Sequence, residues 1–325
     1  MHGQAPSPTQ PLCYKNAMAR WFAFGPYLVL ACGVAIVSTA SILIRIAQGE
    51  GVPSLPIAAL RLTLAALVLT PLVWVRSYAQ MRRLGRRELA LCLFSGALLA
   101  VHFWSWIASL AYTSVASSTA LVTTNPLWVG LASTLILRER MGKATAGAIL
   151  MTLIGSAMIF ASDRSSPTAA VHADPTLGNL LALVGAVAAS GYLLVGRALR
   201  GRVSLLAYIW LAYASAAVLL LIATAVNELA LTGYSPVAYA AVLALALGPQ
   251  LLGHTAFNWA LRHLSATFVA VSILGEPVGS AVLALLIFGE RFAPLQLAGF
   301  ALLLAGIFLA ARAEARPAAI SRSDP

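Results

Sequence analysis

The sequence predicts an all-α membrane protein with ten transmembrane helices in two inverted five-helix repeats. Three features lead there: a composition too apolar for water, ten apolar segments of membrane-crossing length, and a stretch that occurs twice at constant spacing. The chain has 325 residues, of which 60% are hydrophobic and only 10% charged. Soluble domains carry about 25% charged residues, so lipid is the natural solvent for most of this surface. No water reaches that depth, and each crossing segment must be helical to satisfy its own backbone. The apolar runs are continuous and do not alternate, which argues against a lipid-facing β-barrel.

Taken in order, residues 1–21 are a polar, proline-containing tail ending near Arg20. The apolar run that follows is too long for the core of a signal peptide and is read as a retained first helix. The ten segments cover 22–46, 54–75, 88–110, 115–137, 142–161, 177–198, 204–226, 236–260, 266–288 and 294–311. Residues 22–161 and 177–312 then form two repeats, and 162–176, rich in Ser, Pro, Asp and Ala, joins them as an exposed linker. Residues 313–325 are a second tail. Cys13, Cys32 and Cys92 form neither a tight pair nor a metal spacing and give no disulfide framework.

The basic residues orient the chain. Arg76, Arg82, Arg83, Arg86 and Arg87 follow segment 2; Arg138, Arg140 and Lys143 follow segment 4; Arg197, Arg200 and Arg202 follow segment 6. With Lys15, Arg20, Arg262, Arg312, Arg316 and Arg322, 17 of the 21 Lys and Arg fall on one side, against Arg45, Arg164 and Arg291 on the other. The positive-inside rule puts both termini in the cytoplasm and the 162–176 linker outside. The net charge of +11 is thereby explained by membrane loops, and a nucleic-acid partner is not expected.

The repeated stretch runs first from His102 through Asn125-Pro126 to Arg138-Glu139-Arg140, then from Gly253 through Glu276-Pro277 to Gly289-Glu290-Arg291. Pro126 and Pro277, Glu139 and Glu290, and Arg140 and Arg291 are each 151 residues apart. Such spacing marks two halves of one design. Five crossings per half is an odd number, so the second half enters the membrane upside down. Ser38 to Arg45 matches Ser190 to Arg197 more weakly.

These features resemble the drug/metabolite transporter superfamily, specifically its EamA-type members: ten segments in two halves, Asn125-Pro126 and Glu276-Pro277 midway along the fourth segment of each half, and Arg-Glu-Arg and Gly-Glu-Arg at its end. The resemblance covers about 22–312. It implies secondary transport of small metabolites, often efflux of amino acids or related compounds, and a central cavity lined by helices 1, 3, 4, 6, 8 and 9. It also places helices 5 and 10 peripherally, where a dimer contact would form. Gly147, Gly155, Ala298 and Gly306 in these segments are read as close-packing positions, and the chain as a monomer or homodimer.

Ionisable groups at membrane depth are expensive and therefore functional candidates. Glu276 precedes Pro277, whose missing N–H frees a carbonyl inside the bundle. It is read as a proton carrier, a partner for a substrate ammonium or an ion-pair member, with a protonated packing residue as the alternative. Its counterpart in the first half is the neutral Asn125. Arg61 is expected to snorkel or to form a structural pair; Glu276 or a substrate carboxylate is its alternative partner. Gln250, His254 and Asn258, at i, i+4 and i+8, share one face of a regular helix. The cavity is the preferred place for that face, helix–helix hydrogen bonding the alternative. His102, Trp104, Trp106 and Ser109 give segment 3 an aromatic face suited to an apolar or aromatic substrate portion, although Trp also anchors helices at interfaces. Ser38, Ser190 and Tyr192 occupy matching parts of the repeats and are weaker candidates, since Ser also lets helices approach. Pro126 and Pro277 are the expected helix breaks.

No G-x-S-x-G, H-E-x-x-H, C-x-x-C or P-loop motif occurs, so no enzyme, metal or cofactor is expected and ATP is not a direct energy source. Proton and substrate gradients remain as the driving forces. A small-molecule transporter of the inner or plasma membrane, exporting by alternating access, is the leading reading. The others are a non-transporting scaffold or receptor and an intramembrane lipid-modifying enzyme. The last needs paired carboxylates or a nucleophile in the bundle, where only Glu276 is deep.

Overall fold

The computed structural model describes residues 25–125, 128, 129, 132, 142–164, 174–288 and 293–314. Pro126, Glu139, Arg140, Glu290, Arg291 and most of the linker lie outside these residues. The described part is helical, with a single isolated bridge between Arg200 and Val203 and no strand.

Helix α1 covers Gly25–Gly49. It is interrupted at Ser38 and Thr39, where the side chains bond back to Val34 O at 2.8 Å and Ile36 O at 2.7 Å. Such local bonds compete with the helical ladder and bend it. Helix α2 covers Ser54–Arg76 and α3 Arg86–Tyr112. Helix α4, Val115–Val122, opens on Ser114, whose hydroxyl accepts from Ser117 N at 3.0 Å. Helix α5 covers Lys143–Arg164. Helix α6, Pro175–Ala198, starts with a proline where no N–H is needed, after Asp174 caps Leu177 N at 3.0 Å. Helix α7 covers Leu205–Val226 and α10 covers Pro294–Glu314.

Two further helices among the described residues depart from regularity. Helix α8, Pro236–Ala260, is α-helical to Leu245, a π-helix over Ala246–Gly253, and α-helical again over His254–Ala260. Pro249 sits inside the π segment, where its ring cannot keep the i→i−4 ladder. Helix α9 runs over Ala266–Ile273, turns at Leu274, and resumes over Gly275–Phe288. The break falls three residues before Pro277, which stands in the first turn of the new helix, where its lost N–H leaves no bond unmade.

Seven of the described helices are long and apolar enough to cross a membrane; α5 and α10 carry shorter apolar stretches, Ala146–Met158 and Leu297–Gly306. The fourth predicted segment is described as helix over Val115–Val122, and most of its remainder lies outside the described residues. Large apolar side chains such as Leu67, Trp74, Val226, Leu286 and Phe308 are exposed, as a lipid-facing surface requires.

The second-half elements keep the register of the first. Ser54 and Leu205, Val115 and Ala266, and Lys143 and Pro294 each open equivalent helices 151 residues apart. Helix α3 packs along α6 and α8 against α1; α2 meets α7, α4 meets α9, and α5 meets α10. In hydrocarbon, packing and close approach hold helices together, because lipid removes the hydrophobic drive. A Cβ on Gly155 would stand 2.7 Å from Gly299 O, and one on Gly306 would stand 3.0 Å from Ala148 O. These small residues are thus committed to the α5–α10 contact within the chain.

Candidate functional site

Where α1, α3, α4, α6, α8 and α9 converge, they line a partly open cavity. Six of the sequence candidates stand on its wall: His102, Trp106, Asn125, Tyr192, His254 and Glu276. Both halves contribute.

The polar groups are fixed from behind. His102 Nδ1 lies 3.0 Å from Gly185 O, and that acceptor sets the tautomer: Nδ1 carries the proton and Nε2 is left as an acceptor. Its ring stacks on Trp106 at 6.0 Å and 14°. Trp106 Nε1 has no hydrogen-bond acceptor among the described residues, so the cavity holds an unused donor. His254 meets Phe103 edge-on at 5.2 Å and Phe257 at 5.6 Å. With its amide turned to face its acceptors, Asn125 donates to Val122 O at 2.9 Å and Ala186 O at 3.2 Å, tying the end of α4 to α6.

Glu276 is 5% exposed and lies in the first turn of the resumed α9 helix. A helix N-terminus favours negative charge there. No cation among the described residues makes a salt bridge with it; Arg61 acts on it only through space. The carboxylate is therefore available to a ligand cation or a proton.

The remaining candidates lie elsewhere. Gln250 is fully buried and turned away: Arg61 Nε donates to its Oε1 at 2.7 Å, and Tyr213 donates to its carbonyl at 3.1 Å. Asn258 stands below the cavity, where Nδ2 donates to Tyr192 Oη at 2.5 Å and to His254 O at 2.8 Å. The stripe Gln250–His254–Asn258 therefore does not share one cavity face. The reading assumed 3.6 residues per turn, and the π segment between Ala246 and Gly253 widens the turn just where Gln250 sits. Gly248-Pro249 and Gly253 were the sequence signal for it.

Ser38 and Ser190 serve packing. Ser280 donates to Ser38 O at 3.0 Å, and the Ser38 hydroxyl fills the space a Cβ on Gly279 would need, bringing α1 onto α9. Ser190 donates to Ala186 O at 2.8 Å and Asn125 O at 3.3 Å. Ser109 pairs with Ser118 at 2.5 Å, joining α3 to α4.

Arg61 does not snorkel. It has no exposure, and its guanidinium lies 3.9 Å over the Phe103 ring. Its Nη1 and Nη2, and Gln250 Nε2, have no partner among the described residues. A cation–π contact and one amide oxygen replace the water that the interface would have supplied.

The arrangement can receive a small molecule with an apolar or aromatic body and a group that engages a carboxylate. Among the described residues no grouping of His, Cys, Asp and Glu could hold a metal ion. The pattern of the EamA-like transporter family matches residues 25–161 and again residues 176–312. The chain belongs to the EamA-like transporter family. The two matched stretches begin 151 residues apart, so this EamA-like chain is two family repeats in tandem, the EamA type of the drug/metabolite transporter superfamily. A solved crystal structure shares its fold, with a TM-score of 0.71 at 18% identity over 89% of this chain and 97% of the other. No curated protein is similar enough to register as a relative. Members of the family are transporters, and this EamA-like protein is a multi-pass membrane protein of that kind.

Proposed function

We propose that this EamA-like protein is a secondary active transporter that exports a small amino-acid-like metabolite across the inner or plasma membrane by alternating access. The cavity carries the reading: it lies where the two repeats meet and presents one unpaired carboxylate, two imidazoles and an aromatic wall. Glu276 receives the substrate ammonium or a coupling proton, Trp106 and His102 face the apolar body, and His254 and Tyr192 complete the site. Ser38, Ser190, Gln250 and Asn258 support these side chains from behind.

Ten helices in two inverted halves, 22–161 and 177–312, fit the pairing of each helix with its counterpart. α1 lies on α8 as α6 lies on α3, while α2, α4 and α5 meet their own equivalents. Such pairing is compatible with a two-fold axis, and the odd number of predicted crossings per half favours one lying in the membrane plane, about which the halves would exchange roles. The basic asymmetry places both termini in the cytoplasm and the linker outside.

The test is uptake of radiolabelled L-phenylalanine and L-leucine into proteoliposomes with an imposed proton gradient. Saturable uptake that Glu276→Gln reduces about tenfold, a ~1.4 kcal/mol change, supports the reading. Wild-type protein that moves neither probe above empty liposomes overturns the amino-acid assignment.

A further inference from the structure

A second, smaller cavity lies between the ends of α6 and α8 and the start of α7. Its wall includes Arg200, Arg262, Tyr208 and Asn258, and no Asp or Glu among the described residues. One hydrogen bond links its wall to that of the central cavity. Tyr192 lines the upper space, Asn258 lines the lower, and Asn258 Nδ2 donates to Tyr192 Oη at 2.5 Å. Tyr208 braces this contact by donating to Tyr192 O at 3.2 Å and stacking on the Tyr192 ring at 6.0 Å.

At its rim two exposed arginines make reciprocal contacts between the helix ends. Arg200, after α6, donates from Nη1 to Leu261 O at 2.6 Å at the end of α8. Arg262, after α8, donates from Nη2 to Val203 O at 3.5 Å in the α6–α7 loop. Each guanidinium spends one arm on a neutral carbonyl, and no carboxylate balances either charge among the described residues. Partial burial lowers the pKa of Arg262, and no opposing charge offsets it. Arginine presents a planar fork of donors that fits a carboxylate far better than a single carbonyl does.

We propose that this lower cavity is a vestibule site for an anionic group, taking the carboxylate of a substrate at the two arginines before it passes the Tyr192–Asn258 contact. Its place on a path rests on the transporter reading; its ligand chemistry rests on the two arginines. A carboxylate that bridges Arg200 and Arg262 replaces both carbonyl contacts and so frees the two helix ends from each other. Glu276 in the upper cavity repels a simple anion, so the two cavities in sequence select a molecule that carries both charges.

The test uses full-length protein in detergent, photolabelled with 4-azidobenzoate and mapped by peptide mass spectrometry. Adducts are expected within 196–208 and 258–262, with benzoate competing. In Arg200→Gln/Arg262→Gln the yield there should fall about tenfold, whereas the double Lys variant should keep much of it. Labelling of the upper cavity by 4-azidobenzylamine should be the same in all three proteins, which also reports that they are folded. Wild-type protein without adducts in these segments, or a double Gln variant labelled like wild type, overturns the proposal. Intact 4-azidobenzoate labelling together with no uptake of L-phenylalanine or L-leucine in proteoliposomes would overturn the amino-acid assignment and leave the anion site standing.

Discussion

Arg61 Nε and Gln250 Oε1 are 2.7 Å apart, joining α2 to the π segment of α8 at full burial. The side chains come from different halves, so the bond crosses the interface that alternating access must rearrange. Gln250→Leu leaves a buried guanidinium with no hydrogen-bond partner. Leaving a buried donor of a charged group unsatisfied costs about 1–3 kcal/mol or more, and the Phe103 face offsets part of that. The expected outcome is a clear fall in the melting temperature of purified protein. Arg61→Leu/Gln250→Leu should recover part of the loss. An unchanged melting temperature in Gln250→Leu would show that the bond does not hold the fold.

The cavity wall and its supports should separate in transport assays. His254→Leu and Glu276→Gln alter groups that face the cavity and should reduce uptake about tenfold, ~1.4 kcal/mol in the rate-limiting barrier, with little change in melting. Asn258→Leu cuts the Tyr192 contact and should alter both. Normal uptake by His254→Leu and Glu276→Gln together would remove these residues from the site.

Glu276 is the only carboxylate on the cavity wall among the described residues, with His102, His254 and, behind Phe103, Arg61 as its ionisable neighbours. If it carries the coupling proton, Glu276→Gln should flatten the dependence of uptake on external pH. A variant that keeps the wild-type pH profile would shift coupling to the imidazoles.

Topology is tested in a variant lacking Cys13, Cys32 and Cys92. In intact cells with a permeable outer membrane, an impermeant maleimide should label Ser166→Cys, and should label Arg83→Cys only after lysis. The reverse pattern would invert the protein. Arg83 lies in the basic stretch after α2, and Ser166 in the linker outside the described residues.

Helix packing makes a sharper stability prediction. A Cβ on Gly96 would stand 1.8 Å from Ser215 Oγ and 2.7 Å from Ala212 O. Gly96→Val should therefore separate α3 from α7 and abolish monodisperse protein on gel filtration. Ser215→Gly should not rescue it, because the backbone carbonyl remains. Gly147→Ala, whose new Cβ meets only Leu309 Cδ2 at 3.9 Å, should be tolerated.

The helical class, the two repeats and the 151-residue register were legible in the amino-acid sequence alone. Those follow from hydropathy and spacing, which report the solvent a segment meets and not its neighbours. It also singled out His102, Trp106, Asn125, Tyr192, His254 and Glu276, because polar and aromatic groups among apolar runs are costly unless something covers them. Only the tertiary structure decided what covers each one. Gln250 turned to Arg61 because a π-helix broke the assumed period, and Ser38 became a packing surface because Gly279 lay opposite. Arg61 left the interface because Phe103, 42 positions along the chain, supplied a face for its charge. Such partners are set by how helices cross, and a one-dimensional pattern carries the period of a helix but not the helix that packs against it.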